Sequence, residues 1–252
     1  MLGGVVGRGV CVRFGGRVVG RGRGRGGSDA SALTPEAVLD AALALIDEVG
    51  VAGFTMRALA GRLDTYPATL YWHVGNRNEI LAGVLQLVMD DMTVPAADAL
   101  SWADWLGAAA REYRWALHRH PNAAVLAMYP LLTSRGFAES LLSVLVRGGF
   151  RGPALAHAFN AFTGSVCGWV AVELSAAAGE PDQVWQAEFE TRVRALSAEQ
   201  FPTIVSNLDH LADEAFTLRW HGGHERPLDD SFDVALEVWL AGLRAFRRSS
   251  RR

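Results

Sequence analysis

Residues 54–80 read FTMRALAGRLDTYPATLYWHVGNRNEI, and few local structures accept that order of residues. The hydroxyl of Thr55 suits an N-cap, where it accepts an orphan backbone N–H. Met56, Leu59, Ala60 and Leu63 then recur at helical spacing and give one apolar face. Asp64 and Thr65 break that helix, and Asp tolerates the left-handed backbone of a sharp turn, though less well than Gly. Pro67 suits the first position of a second helix, where its missing N–H costs nothing. Leu70 and Val74 sit four apart and face inward. Thr69, Tyr71, Trp72 and His73 are left on or near the outer face. Asn76 caps a third helix, with Glu79 three residues on as its capping-box partner.

Two short helices joined by a tight turn form a helix-turn-helix, whose second helix can enter the DNA major groove. A helical hairpin in any all-α protein shows the same pattern, so the pattern alone leaves both readings open. The words are more specific. TMRALAGRL followed by PATLYWHVGNRNEIL closely resembles the DNA-binding domain of the TetR family of bacterial repressors, from about Leu33 to Leu85. More loosely, SWADWL at Ser101–Leu106, RGGF at Arg147–Phe150 and Phe201-Pro202 resemble the C-terminal regulatory domain of the tetracycline-repressor subgroup. The resemblance implies an all-α fold. An arm over 1–32 precedes a three-helix DNA-binding domain over 33–79. A helical ligand-binding and dimerisation domain follows over 80–248.

The chain has 252 residues, half of them hydrophobic, which is ample for a small domain and a larger one. Net charge is −3 but uneven. Residues 1–27 hold six arginines and residues 244–252 hold five, with no acid in either stretch; the remainder sets 13 arginines against 27 acids. The Gly/Arg-rich arm cannot bury enough apolar surface to order itself. It reads as a basic arm for phosphates, an inert tail, or a start site called too early. Cys11 and Cys167 have no disulfide or zinc spacing, so a reducing cytoplasm is the simple reading. The N-terminus lacks a continuous apolar core of signal-peptide length. The most apolar stretch, Ala154–Ala178, is interrupted by His157, Asn160 and Glu173, which favours a buried helix over a membrane span.

Thr34-Pro35-Glu36 opens the first helix, with Val38, Ala42, Leu45, Ile46 and Val49 as its inner stripe and Gly50 as its end. A fourth helix runs from Arg77 to about Met92, and Thr93–Leu100 reads as a loop. Ser101 caps a helix to about His120. Segments at Ala123–Met128 and Ser134–Arg147 follow, then a long apolar helix from Pro153 to about Ala178. Gln183–Leu196 and Phe201–Phe216 each read as one helix, Thr217–Asp230 as a polar loop, and Ser231 as the cap of a last helix to Arg248. No β alternation of any length and no repeat is visible.

Base-edge contacts give sequence choice and phosphate contacts give position. The expected DNA-binding residues are Thr55, Arg57, Pro67, Ala68, Thr69, Tyr71, Trp72, His73 and Arg77. By resemblance, Arg77 falls on a basic phosphate contact and Arg57 on an arginine that touches DNA. Residues 34–77 hold three arginines and five acids, which runs against the usual basic footprint. The resemblance also implies a small-molecule effector in the C-terminal core, whose binding shifts the fourth helix and parts the two reading heads. Trp105, Tyr113, Met128, Phe137, Phe162 and Trp169 are candidate lining residues, and they suit a large, flat, mostly apolar ligand. Where the tetracycline repressor binds its drug and the drug's metal, this chain has Thr93, Ala109 and Ala127, so no metal or other cofactor is expected. The HGGHE run at His221–Glu225 has donors at close spacing but sits in a polar loop. The resemblance places Pro153–Ala178 and Ser231–Arg248 in a homodimer interface, with Glu173 pairing across it or touching ligand.

The leading reading is therefore a ligand-responsive homodimeric repressor on double-stranded operator DNA. An activator, or a regulator without an effector, is the alternative within regulation. An all-helical enzyme is opposed by the lack of a nucleophile–base motif, phosphate loop or helical metal motif. A protein-interaction module using Tyr71 and Trp72 is the third class.

Overall fold

In the computed structural model, residues 11–13, 33–128, 135–174, 183–212, 214–219 and 228–250 are described. The first unit is α1 (Pro35–Gly53), α2 (Met56–Arg62) and α3 (Pro67–Val74), closed by the start of α4 (Arg77–Asp90). Thr34 caps α1 by accepting the Ala37 amide at 3.1 Å. Val38, Ala42, Leu45 and Ile46 are buried, whereas Val49 is 49% exposed and does not belong to the inner stripe. Gly50 leaves the helical region at φ 69°, and the chain resumes one more turn to Gly53, so the sequence end of α1 is a kink. Phe54, Met56, Leu59, Leu70, Ile80 and Val84 fill the centre of this unit.

Past α4, the expected loop begins with a strand. Thr93–Pro95 (β2) pairs antiparallel with Cys11–Arg13 (β1), with Val12 opposite Val94. That pairing corrects the reading of 1–32 as wholly unordered; the rest of the arm lies outside the described residues. A three-residue strand has no periodicity to detect, and its order comes from the ladder itself.

The second unit contains α5 (Trp102–Arg119), a 3₁₀ segment (Pro121–Met128), α6 (Arg135–Arg147), α7 (Gly152–Leu174), α8 (Gln183–Arg194) and α11 (Asp229–Ser249). Ser101 caps α5 by accepting the Asp104 amide. The single helix expected over Phe201–Phe216 is broken into α9 (Pro202–Ser206), α10 (Leu208–Leu211) and a 3₁₀ turn at Phe216–Leu218. Asn207 is the break: its side-chain amide donates to Thr203 O at 2.8 Å, a local bond that competes with helix propagation. The last helix starts at Asp229, so Ser231 lies inside it, and Asp229 and Asp230 occupy the first turn where negative charge suits the helix dipole.

Glu173 finds its partner inside the same chain, which corrects the expectation of a contact across a dimer or to ligand. Arg114 Nε and Nη2 donate to its two oxygens at 2.8 and 2.6 Å. His118 Nε2 stands 3.2 Å away, and the Leu228 amide donates at 3.0 Å. Arg114 Nη1 also reaches Asp229 at 2.7 Å, so α5, α7 and the start of α11 meet on one guanidinium. Burial alone would raise the Glu173 pKa; the bonds from Arg114 and Leu228, with the His118 imidazole close by, overcome it and hold the carboxyl at about 2. By length and apolarity α7 could cross a bilayer, yet its Glu173 is buried in this ion pair.

A carboxyl held below its unfolded value stabilises the fold above that value and loses the contribution as pH falls toward the folded one. Urea unfolding of the wild type is expected to lose on the order of 3 kcal/mol between about pH 5 and pH 2 from this group, a loss that Glu173→Gln should lack. Parallel pH profiles for the two proteins would refute the assignment.

Candidate nucleic-acid interface and effector cavity

The reading unit is built by local rules that fix α3 against α2. Thr55 accepts the Ala58 amide at 3.1 Å and starts α2. Asp64 takes φ 47°, the left-handed value the turn needs, and the Thr65 amide bonds back to Ala60 O at 2.9 Å. Pro67 begins α3, and fully buried Leu70 anchors it to the core. The opposite side is then forced outward. Trp72 is 89% exposed, Tyr71 52% and Tyr66, just before the helix, 79%. Ala68 is exposed, Pro67 and Thr69 are half-buried, and His73 lies in α3, though its side chain lies outside the described residues. Aromatic area on this scale is normally buried in a monomer, so its exposure marks a contact surface. Tyr66 was not among the sequence candidates. Its signal was available: an aromatic stands where a helix usually wants a small capping side chain, and no capping bond is formed.

Thr55 and Arg57 are also exposed, and Arg57 forms no ion pair among the described residues. Arg77 is placed differently from a free phosphate ligand. Its guanidinium donates to Val51 O at 2.8 Å and Phe54 O at 3.4 Å, and sits 5.8 Å above the Phe54 ring. It thus closes the carbonyl end of α1 onto the start of α4. The neighbouring cap has both halves of a capping box. Asn76 Oδ1 accepts the Glu79 amide, and Glu79 accepts the Asn76 amide at 2.7 Å. Gly75 at φ 76° keeps this tight: a Cβ there would collide with the Glu79 carboxylate.

The second candidate site is a cavity of about 330 Å³. Helix α4 contributes Leu85 and Met89, and the 3₁₀ segment contributes Ala127 and Met128. Phe137, Ala138 and Leu141 come from α6; Phe159, Asn160, Thr163, Gly164 and Cys167 come from α7. Tyr113 of α5 forms the floor, stacked on Phe137 with ring centres 6.1 Å apart and its hydroxyl 3.2 Å from Cys167 Sγ. Burial pushes the phenol and the thiol up, so both stay protonated at neutral pH. Of the six candidates, Tyr113, Met128 and Phe137 come together here. Phe162 lines a void of about 20 Å³ behind Tyr113 and Phe137. The other two are elsewhere. Trp105 is fully buried with its indole N–H on Pro95 O at 2.8 Å, bracing β2. Trp169 packs edge-on to Phe216, Phe232 and Trp239. Aromaticity identified these residues, but not which face of their helix looks into the cavity.

Residues 38–84 match the family model for bacterial regulatory proteins of the tetR family, and residues 94–247 match the tetracyclin repressor-like C-terminal domain. The chain belongs to the TetR family. Among curated TetR-like relatives, an HTH-type transcriptional regulator of Saccharopolyspora erythraea is 32% identical over 185 residues, 69% of this chain and 75% of that one. The class A tetracycline repressor of transposon 1721 from Escherichia coli is 32% identical over 216 residues, 84% and 90% of the two chains. Apo ActR from Streptomyces coelicolor superposes with a TM-score of 0.68 at 26% identity, over 88% of this chain and all of that one. ActR in complex with actinorhodin superposes at 0.64 and 27%, over 85% and 97%. TetR-family proteins are DNA-binding regulators, with a helix-turn-helix domain and a helical ligand-binding domain, and this chain is a transcriptional repressor of that kind.

Ala127 stands where the resemblance puts a metal-ligating histidine, and it lines the cavity with a methyl group. Ala109 is fully buried, and Thr93 is exposed on β2 with its amide on Glu112. The described residues contain no cluster of three His, Cys, Asp or Glu that could hold a metal. The HGGHE run lies outside the described residues.

Arg77→Ala is expected to destabilise the reading unit by about 1–3 kcal/mol, because it leaves helix-end carbonyls unpaired. Amide hydrogen exchange in α1–α3 should speed up while α5 and α7 stay protected. Unchanged exchange would return Arg77 to the role of a free surface cation.

Proposed function

We propose that a homodimer of this chain holds operator DNA with two copies of α3 and is released when a small, mostly apolar molecule enters the cavity. The carrying observation is the 89% exposed Trp72 standing above the fully buried Leu70 on an eight-residue helix. The base-facing set is Pro67, Ala68, Thr69, Trp72 and His73, with Thr55, Arg57 and Tyr71 for phosphates. Pro67 and Ala68 offer only apolar contact, for instance to a thymine methyl. Arg77 positions the set through α1 and keeps at most a secondary phosphate role.

A dimer is supported by the α7–α11 face. It carries an open apolar groove of about 370 Å³ that includes Ala161, Val238, Gly242 and Phe246, and leaves Val172, Val234 and Val238 exposed. Only 22% of the most apolar window of α7 is buried in one chain. Two short reading helices in a two-fold dimer would match half-sites about 34–36 Å apart. The cytoplasm, where the chromosome lies, is the compartment this reading requires.

Release is supported by two elements that touch both cavity and head. Helix α4 carries Ile80 and Val84 into the head and Leu85 and Met89 into the cavity. The 3₁₀ segment puts Met128 at the cavity and ties Asn122 to the Asp47 carbonyl of α1 at 2.8 Å. Asp47 also bonds His120 Nδ1 at 2.8 Å. A ligand shifts this arrangement only by its differential affinity for the released state. The actinorhodin complex of ActR supports a small-molecule role for the same domain.

The test is a gel shift on DNA flanking the protein's own gene at two salt concentrations. Wild type should bind and weaken with salt, Arg57→Ala should lower the salt slope by about one per lost phosphate contact, and Trp72→Ala should lose roughly tenfold or more. Binding that ignores salt and survives Trp72→Ala would replace this reading with a protein-interaction module.

A further inference from the structure

We infer that the cavity selects uncharged, planar ring systems of modest size with one polar edge, and that Asn160 is the residue that meets that edge. This rests on the effector reading above and narrows it. Every side chain named around the cavity is neutral at physiological pH. An ion entering such a site sheds water with no opposite charge to replace it. The chain between its two arginine-rich ends is also strongly acidic, which works against anions in particular.

The polar side chains other than Asn160 already bond within the wall. Thr163 donates its hydroxyl to Phe159 O at 2.8 Å, and one of the Tyr113 hydroxyl and the Cys167 thiol donates to the other. Asn160 forms no hydrogen bond to the described residues, and its amide can both donate and accept. The same cavity is lined by the stacked Tyr113 and Phe137 rings with Met89 and Met128, flat and adaptable surfaces. The volume lies near the lower end of roughly 300–1,000 Å³ typical of ligand sites, so about two or three rings fit. Gly164 opens the wall: a Cβ there would meet no atom within 4 Å.

The experiment titrates the full-length protein with three fluorescent naphthalenes: neutral N-phenyl-1-naphthylamine, its anionic 8-sulfonate and a trimethylammonium-bearing analogue. The neutral probe should bind at least about tenfold more tightly than either ion. Gly164→Phe, which projects a ring from the cavity wall and suits a helix better than glycine, should abolish neutral binding with a melting temperature no lower than the wild type's. Asn160→Leu, at an exposed position, should weaken it several-fold. Equal affinity for an ion, or full neutral binding by Gly164→Phe, overturns the inference. If the probe behaves as stated yet leaves the operator complex intact, the cavity chemistry stands and release by this occupant fails.

Discussion

Helix α4 sits in the one buried core that joins the reading unit to the cavity, and that sharing organises the molecule. Its fourteen residues bury Ile80, Leu81, Val84, Leu85, Val88 and Met89, and Leu85 and Met89 also line the cavity. The N-terminal end is held by the capping box and by Arg77 on the carbonyls of Val51 and Phe54. Close-packed interiors do not deform smoothly, so on the proposed function a displacement at Met89 would be carried to the head as movement of a body. The sequence concentrates its strongest local devices where that rigidity matters: a capping box, a left-handed glycine and a cation over an aromatic ring lie within Phe54–Glu79.

The facing wall of the cavity depends on the Arg114–Glu173 pair. Tyr113 is the neighbour of Arg114 on α5, and Cys167 lies less than two turns before Glu173 on α7. Two buried charges are costly unless every lone pair and proton finds a partner. Here the carboxylate has the guanidinium, an imidazole nitrogen at 3.2 Å and a backbone amide, and the guanidinium has a second carboxylate and the Phe232 ring at 4.9 Å. The pair fixes the register of α5 against α7, and so the spacing between the aromatic floor and the wall of Gly164 and Asn160.

Local chemistry was legible in the sequence at most helix caps and at the tight turn, though not at Ser231 or at the Asn207 break. The caps at Thr34, Thr55, Asn76 and Ser101, the Asp64 turn and the Pro67 start stand as their residue types dictate. Long-range partners left no such trace. Arg114 and Glu173 are 59 residues apart, and Thr93–Pro95 pairs with a strand 80 to 84 residues earlier. The cavity was half legible for the same reason. Tyr113, Met128 and Phe137 reach it, but Trp105 and Trp169 sit on helix faces aimed at β2 and at α11, and small liners such as Gly164 and Ala138 carry no aromatic signal at all.

The acid-rich count of the reading unit, which argues against nucleic acid, changes meaning once the charges are placed. Asp47 turns toward the regulatory unit and bonds His120. Glu48 pairs with Arg62 at 2.7 Å across α1 and α2. Arg77 is spent on carbonyls. What remains beside α3 is Arg57, without an ion pair among the described residues, the exposed Asp64 of the turn, and a helix end where Pro67 has no N–H and the Thr69 amide bonds Tyr66 O, which leaves the Ala68 amide for an anion. A helix N-terminus favours an anion without any arginine. On the proposed function, the head therefore grips phosphate with few full charges and reads bases with the large exposed surface of Trp72. Such a head gains less from non-specific attraction, and a larger share of its affinity comes from the right sequence.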